Sequence, residues 1–451
     1  MTPEIAGGGR RSATRRRHVV MLLVLLAVTA GLRLYRLDVP EGYYFDEVYH
    51  GFTAKQYLAG DRSAYDPWAE SPPGVNYEWT HPPLGRVFMA GTMAAFGQDQ
   101  FGMRLSSAAM GTLAVALVFL VTVRLFSSAR AGLLAGFLYS VEGLSFVHSR
   151  IAIPDLHFVV YVLASLLCYI EWRTGDGKSP VWLLAAGFAA GCALATKWTA
   201  LYLFALLGVD CLIFLAFHRP RRWVRTPLLA LAGLIVLPAA VYLVSYAQYF
   251  RMGYSWGDFL TLQREMWRYH TGLTDTHMYQ SAPWQWVLNL RPVWLYVHGG
   301  LDEPVANIYD LGNSVVLYFG LAAMAVLAVR MVRGLTRAGG MAFLSARVVR
   351  GPTWAAAFLP AAYLILWVPW SFSPRIMFFY HYLPAVPMLC VAAGLLLDRW
   401  LAHRWKWVRV VGWAVPILAA AWFAFFYPHM TAVSVSRAWS DAAYYWLPSW
   451  R

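Results

Sequence analysis

Charge is scarce in this 451-residue chain, with Asp, Glu, Lys and Arg together making up 13% of it. That share, beside 59% hydrophobic residues and a mean hydropathy of +0.48, excludes an ordinary soluble domain and a disordered chain. Cysteine is scarcer still. The four, at positions 168, 192, 211 and 390, all lie in apolar stretches without CxxC or Cys/His spacing, which argues against a disulfide framework or a zinc site and for small core residues. Internal repeats, low-complexity tracts and a separate soluble domain are also lacking. What is abundant fits an integral membrane protein: 22 Trp and 26 Tyr supply the amphipathic rings that collect at membrane interfaces. The net charge of +14 is scattered between apolar spans, so it speaks of topology and not of nucleic acid.

About 20 consecutive apolar residues cross a bilayer as a helix, because hydrocarbon offers no water to satisfy unpaired backbone groups. By that measure the chain is a single all-α polytopic domain over residues 1–451 with eleven expected spans. They lie near 18–36, 105–124, 131–148, 151–171, 181–196, 198–217, 227–249, 311–330, 354–371, 376–397 and 409–428. The start "GGGRRSATRRRHVVMLLVLLAVTAG" resembles a secretion signal, but the spans that follow favour an uncleaved first anchor.

Basic residues orient the spans, since Lys and Arg are retained on the cytoplasmic side. With the N-terminus inside, the basic tail 1–17 and the pieces "RLFSSAR", "WRTGDGK", "HRPRRWVR", "RMVRGLTRAGGMAFLSARVVR" and "DRWLAHRWKWVR" are cytoplasmic and hold more than half of the 37 Lys and Arg. Of the acids, only Glu4, Glu171, Asp176, Asp210 and Asp398 fall on that side. Two long segments, 37–104 and 250–310, then face outward at the plasma (inner) membrane, and unstructured connections of that length are usually functional. Within the first, "EVYHGFTAKQYLAG" and "LGRVFMAGTMAAFG" carry helical spacing and predict short interfacial helices.

The outward face gathers the unusual charges. "YYFDEVYH" sets Asp46 and Glu47 among aromatics at the outer end of the first span, where a carboxylate needs a partner or a task. In "EWTHPPLGR" two prolines stiffen the chain and the glycine lets it turn, presenting His81 and Arg86 rigidly, with Glu78 alongside. "HSRIAIPDLHF" supplies Arg150 and Asp155, "ATKWTALY" supplies Lys197, and "SFSPRIMFFYHYLPAVP" supplies Arg375 and His381. Each cation alone could be snorkelling toward water or pairing with a neighbour. Together, cations at that depth could hold a phosphate while a carboxylate takes a proton from an attacking hydroxyl. The head group of a lipid-linked phosphosugar sits at that depth.

These segments resemble the protein O-mannosyltransferases, members of the C-type glycosyltransferase fold that use polyprenyl- or dolichyl-phosphate sugars. "FDEVYHG" resembles the acidic motif of their first outer loop, and "THPPLGR" their His-Pro-Pro-Leu-Gly-Lys element, with Arg86 where Lys is usual. "HSRIAIPDLHF", "ATKWTALY", "MYQSAPWQWVLNLRPVWLY", "ANIYDLGNSVVLYFG" and "FFYHYLPAVP" follow in family order, so the likeness covers nearly the whole chain. The β-trefoil domain that the eukaryotic enzymes carry in a long loop has no counterpart here, as in a compact prokaryotic type.

The resemblance implies an inverting transfer of a sugar, most simply mannose, from a polyprenyl-phosphate carrier to Ser/Thr hydroxyls of secreted or membrane proteins. Asp46 would be the base and Glu47 would position acceptor or sugar. Lys197 and Arg375, with Arg150 and Arg86, would hold the donor phosphate, supported by His81, Glu78, Asp155 and His381. No cofactor is required by this reading, since the cations could neutralise the phosphate; His81 with Glu78 could still bind a divalent metal. The expected partners are the lipid-linked donor, a protein acceptor and membrane lipids. Two alternatives stand beside it: transfer of an aminoarabinose- or hexose-type sugar to a lipid or envelope glycan, and a flippase for a lipid-linked sugar. Paired repeats and polar groups near the midplane would mark the flippase.

Overall fold

The computed structural model describes residues 5–218, 225–300, 303–337 and 352–451. Residues 1–4 and most of the expected cytoplasmic pieces "HRPRRWVR" and "RMVRGLTRAGGMAFLSARVVR" lie outside the described residues. Among those described, eight helices are long and apolar enough to cross a membrane: Arg16–Leu34, Gln100–Phe126, Asp155–Thr174, Ala200–Phe217, Thr226–Ser245, Ser314–Arg333, Thr353–Phe372 and Lys406–Met430.

The other three expected spans become shorter or broken helices, for local reasons that hydropathy does not register. The run 131–148 divides into Ala129–Ser140 and Gly143–His148 because the Glu142 carboxylate accepts the backbone N–H groups of Leu144 at 3.2 Å and Ser145 at 2.7 Å, capping a new helix. The run 181–196 yields the 15-residue helix Pro180–Leu194. In the run 376–397 the long helix begins only at Val386, with a proline in its first turn, and leaves "RIMFFYHYLP" as a loop around one 3-10 turn, Phe379–Tyr382. That stretch carries Arg375, Tyr380 and His381.

Helix Val386–Leu401, buried continuously from Val386 to Leu397, packs against Ala129–Ser140, Ser314–Arg337 and Lys406–Met430. Helix Asp155–Thr174 packs between Gln100–Phe126 and Pro180–Leu194. Ion pairs Arg124–Glu171, Arg130–Asp398 and Arg173–Asp210 gather near one set of helix ends, those expected to be cytoplasmic. Lys197, Arg375 and His381 lie at the opposite ends. All four cysteines are free.

Both interfacial helices expected in the first outer segment are present, as His50–Ala59 and Leu84–Phe96. The "HPPLG" element differs in detail from a hairpin: Pro83 caps the second helix, and the chain does not turn at Gly85. Glycine is needed there for closeness, since a Cβ at Gly85 would come within 2.6 Å of Pro154 Cβ. The all-α expectation also needs one addition. In the second outer segment Val293–His298 and Ala306–Asp310 pair as an antiparallel two-stranded sheet, with Val293 opposite Asp310 and His298 opposite Ala306.

Candidate functional site

Asp46 sits in a single 3-10 turn, Phe45–Val48, directly after the first span. Phe45 enters that turn at φ 50°, a conformation that bulky side chains rarely adopt, so the surroundings hold the turn in place. The Phe45 ring meets the edge of Tyr380, 6.0 Å between centroids. Burial pushes the Asp46 carboxyl up to about 7, and the charges of Asp155 and Glu78 add to the effect, while Lys197 and His148 oppose it. A carboxylate so placed is a proton acceptor matched to neutral pH.

Glu47, next in sequence, has a different place. It is wholly buried, and its two oxygens take Arg104 Nε at 2.7 Å and Nη2 at 2.9 Å, with the backbone N–H of Ala152 at 2.9 Å as a further donor. The expectation that Glu47 touches acceptor or sugar is therefore corrected to a structural one: a closed ion pair ties the acidic turn to helix Gln100–Phe126 and to the turn before Asp155. Arg150 is likewise engaged within the protein. Its guanidinium donates to the carbonyls of Leu32, Arg33, Tyr35 and Arg36 at 2.7–3.3 Å, closing the C-terminal end of the first helix. Arg86, also buried, donates to the Tyr57 hydroxyl at 3.1 Å and the His81 carbonyl at 2.6 Å and lies 3.7 Å from Glu78, bracing the loop from within.

Lys197, Arg375, Asp155, His81 and His381 do converge, lining one cavity of about 220 Å³ together with His270. Lys197 Nζ donates to Asp155 Oδ1 at 2.7 Å, and Arg375 contacts the His270 ring. Burial brings His270 down to about 3, with the charges of His81 and Arg375 acting the same way, and His381 is also lowered by burial. These imidazoles are neutral at physiological pH, so Lys197 and Arg375 are the cavity's fixed cations. The bland reading of each as a snorkelling charge gives way to a shared pocket.

Beside the cavity, His50, Glu78 and His81 place one potential ligand atom each within 4.8 Å of one another. Burial works to raise Glu78, yet His81, His50 and Arg86 hold it well below the usual carboxylate range, and burial brings His50 down to about 3. An anionic carboxylate and two neutral imidazoles make a donor set suited to a divalent cation. His50 Nδ1 is buried without a partner.

An apolar groove of about 610 Å³ runs between helices Ala200–His218 and Pro352–Trp367, from Asp210 and Trp354 to Val368 and Phe372. Its lining residues Val368, Pro369 and Phe372 alternate along the chain with Trp370 and Ser373, which line the polar cavity. Sequence reasoning missed His50, Arg104, His270, Tyr380 and this groove. Their one available signal was residue type at the outer span ends, since the contacts among them all join residues distant in sequence.

Two family models together span nearly the whole chain. Residues 21–252 match the dolichyl-phosphate-mannose-protein mannosyltransferase family, and residues 255–450 the C-terminal four-span region of protein-O-mannosyltransferase. The polyprenol-phosphate-mannose–protein mannosyltransferase of Mycolicibacterium smegmatis is 29% identical over 90% of this chain and 87% of its own length. Its Mycobacterium tuberculosis counterpart is 30% identical over 82% of this chain and 81% of its own. In fold, the chain is similar to the Saccharomyces cerevisiae Pmt1-Pmt2 complex bound to the sugar donor, with a TM-score of 0.79, 16% identity, and coverage of 96% of this chain and 92% of that one. ArnT from Cupriavidus metallidurans bound to undecaprenyl phosphate follows at 0.57, with 15% identity, covering 94% and 76%.

Proposed function

Because the chain belongs to the dolichyl-phosphate-mannose-protein mannosyltransferase family, we propose that it transfers mannose from a polyprenyl-phosphate carrier to Ser or Thr hydroxyls of proteins at the outer face of the plasma membrane. The observation that carries this reading is the joining of three chemistries: a carboxylate poised near neutral pH, a cavity with two fixed cations, and an apolar groove opening beside them.

The mechanism follows from those parts. The polyprenyl tail lies in the groove between Ala200–His218 and Pro352–Trp367, and the phosphate enters the cavity beside Lys197 and Arg375. Asp46 takes the proton of the acceptor hydroxyl as its oxygen attacks the anomeric carbon. The bond from that carbon to the phosphate oxygen breaks, its electron pair leaves with the polyprenyl phosphate, and configuration inverts. Lys197 and Arg375 stabilise the charge that develops on the leaving group. Glu47, Arg104, Arg150 and Arg86 act at one remove, by fixing the loops that carry these groups.

A divalent cation held by His50, Glu78 and His81 would fit the donor set and would add positive charge next to the phosphate-binding cations. The N-terminus then faces the cytoplasm, in keeping with the ion pairs at the opposite helix ends. The relatives of this chain, named for transfer of mannose to protein, favour a protein acceptor over lipid or glycan. The test is transfer by the purified protein from radiolabelled polyprenyl-phosphate mannose to a Ser/Thr-rich acceptor in detergent. Label in glycolipid instead of protein would overturn the acceptor, and absence of any transfer would overturn the enzyme.

A further inference from the structure

Behind the wall of the cavity lies a polar pair that the mechanism does not use. His148, the last residue of helix Gly143–His148, and Asp310, the last of strand Ala306–Asp310, are both fully buried, with His148 Nε2 3.1 Å from Asp310 Oδ2. Asp310 Oδ1 accepts the backbone N–H of Val293 across the sheet at 3.2 Å. Both carboxylate oxygens are thus occupied as acceptors, and the imidazole must present Nε2–H to Asp310. His148 Nδ1 has no partner among the described residues. Burying such a pair where apolar side chains would pack gives little or no stability, so its retention calls for another reason.

The ring of His148 packs on Tyr380, 5.4 Å between centroids. Tyr380 lines the cavity, and its ring also meets Phe45, the residue before Asp46. A continuous chain of contacts therefore runs from the sheet of the second outer segment through Asp310, His148 and Tyr380 to the turn that bears the base.

We propose that His148 and Asp310 act as one positioning unit for sugar transfer: Asp310 fixes the orientation and tautomer of the His148 ring, and that ring holds Tyr380 and, through Phe45, the Asp46 turn in register with the cavity. Neither residue touches substrate. The inference rests on the proposed transferase activity, and it makes the second outer segment part of the catalytic geometry.

The tautomer argument supplies a near-isosteric test. In Asp310→Asn the Val293 N–H still demands an oxygen, so the amide NH₂ faces Nε2 and forces the imidazole to release that proton or turn away. His148→Gln does the reverse, keeping an N–H near the position of Nε2 while removing the ring from Tyr380. Both variants and the double variant are assayed in detergent beside wild type, with turnover referred to the monodisperse folded fraction. We expect kcat to fall about tenfold or more in each, the KM for lipid-linked mannose to stay within about twofold, and the double variant to fall no further than the worse single one. Variants that lose only thermal stability and keep wild-type kcat per folded molecule would overturn the proposal, as would single effects that multiply in the double variant. Wild type without transfer would instead overturn the activity itself, so the two failures are distinguishable.

Discussion

Lys197 Nζ stands 2.7 Å from Asp155 Oδ1 at the edge of the cavity, a lysine already engaged by a carboxylate at the place where a phosphate has to bind. The donor phosphate competes with Asp155 for the same ammonium, and Arg375, held by a neutral His270, supplies the second charge.

Lys197→Ala should remove donor use and also leave Asp155 without its partner. Truncating one member of a buried pair costs about 3–5 kcal/mol at full burial, and less here because Lys197 keeps some solvent contact. Adding Asp155→Asn removes the stranded charge. The double variant should regain most of the lost melting temperature and none of the activity, which thermal denaturation and transfer assays on the same samples would check.

Glu47→Gln tests the role that the structure assigns to the second acid. Its bidentate pair with Arg104 is closed to solvent, so the variant should lose on the order of 3 kcal/mol of stability. Activity per folded molecule should stay within a few-fold of wild type. A stable Glu47→Gln protein with abolished transfer would return Glu47 to the cavity.

The sequence made the membrane class and the converging cavity residues Lys197, Arg375, Asp155, His81 and His381 legible, because charge is so scarce in this chain that each charge at a span end stands out. It did not separate Glu47 from Asp46. Adjacent positions in a 3-10 turn face different ways, and the difference is decided by Arg104, 57 residues along the chain. Hydropathy likewise read "RIMFFYHYLP" as the start of a span, since an aromatic loop buried against protein scores like a helix buried in lipid. The sheet ending at Asp310 depends on partners that no local pattern reveals, whereas the cap formed by Glu142 is local but carries no signal in hydropathy.

pH should move activity and stability in opposite directions. Transfer requires ionised Asp46, so kcat/KM should rise with pH through about 7. The same raised value means that folding favours the protonated form. Its contribution to stability is complete below the unperturbed 3.8 and is lost as pH rises through about 7. Melting temperatures of wild type and Asp46→Asn compared at about pH 5 and about pH 8, on either side of that midpoint, should therefore diverge, with wild type losing stability toward the alkaline end that Asp46→Asn keeps. Parallel curves would show that Asp46 titrates normally.

The cluster of His50, Glu78 and His81 predicts about one equivalent of a bound divalent ion after purification, or saturable uptake of added Zn²⁺ or Mn²⁺. His50→Ala should abolish uptake measured by elemental analysis. Uptake unchanged in that variant would place the ion elsewhere.

The most direct test of the account is the turnover of Asp46→Asn with polyprenyl-phosphate mannose, measured beside its melting temperature. The amide keeps the size of the side chain and cannot accept the hydroxyl proton, so turnover should fall by at least about a hundredfold while the protein remains folded and at neutral pH no less stable than wild type. A folded Asp46→Asn protein with wild-type turnover would contradict the account.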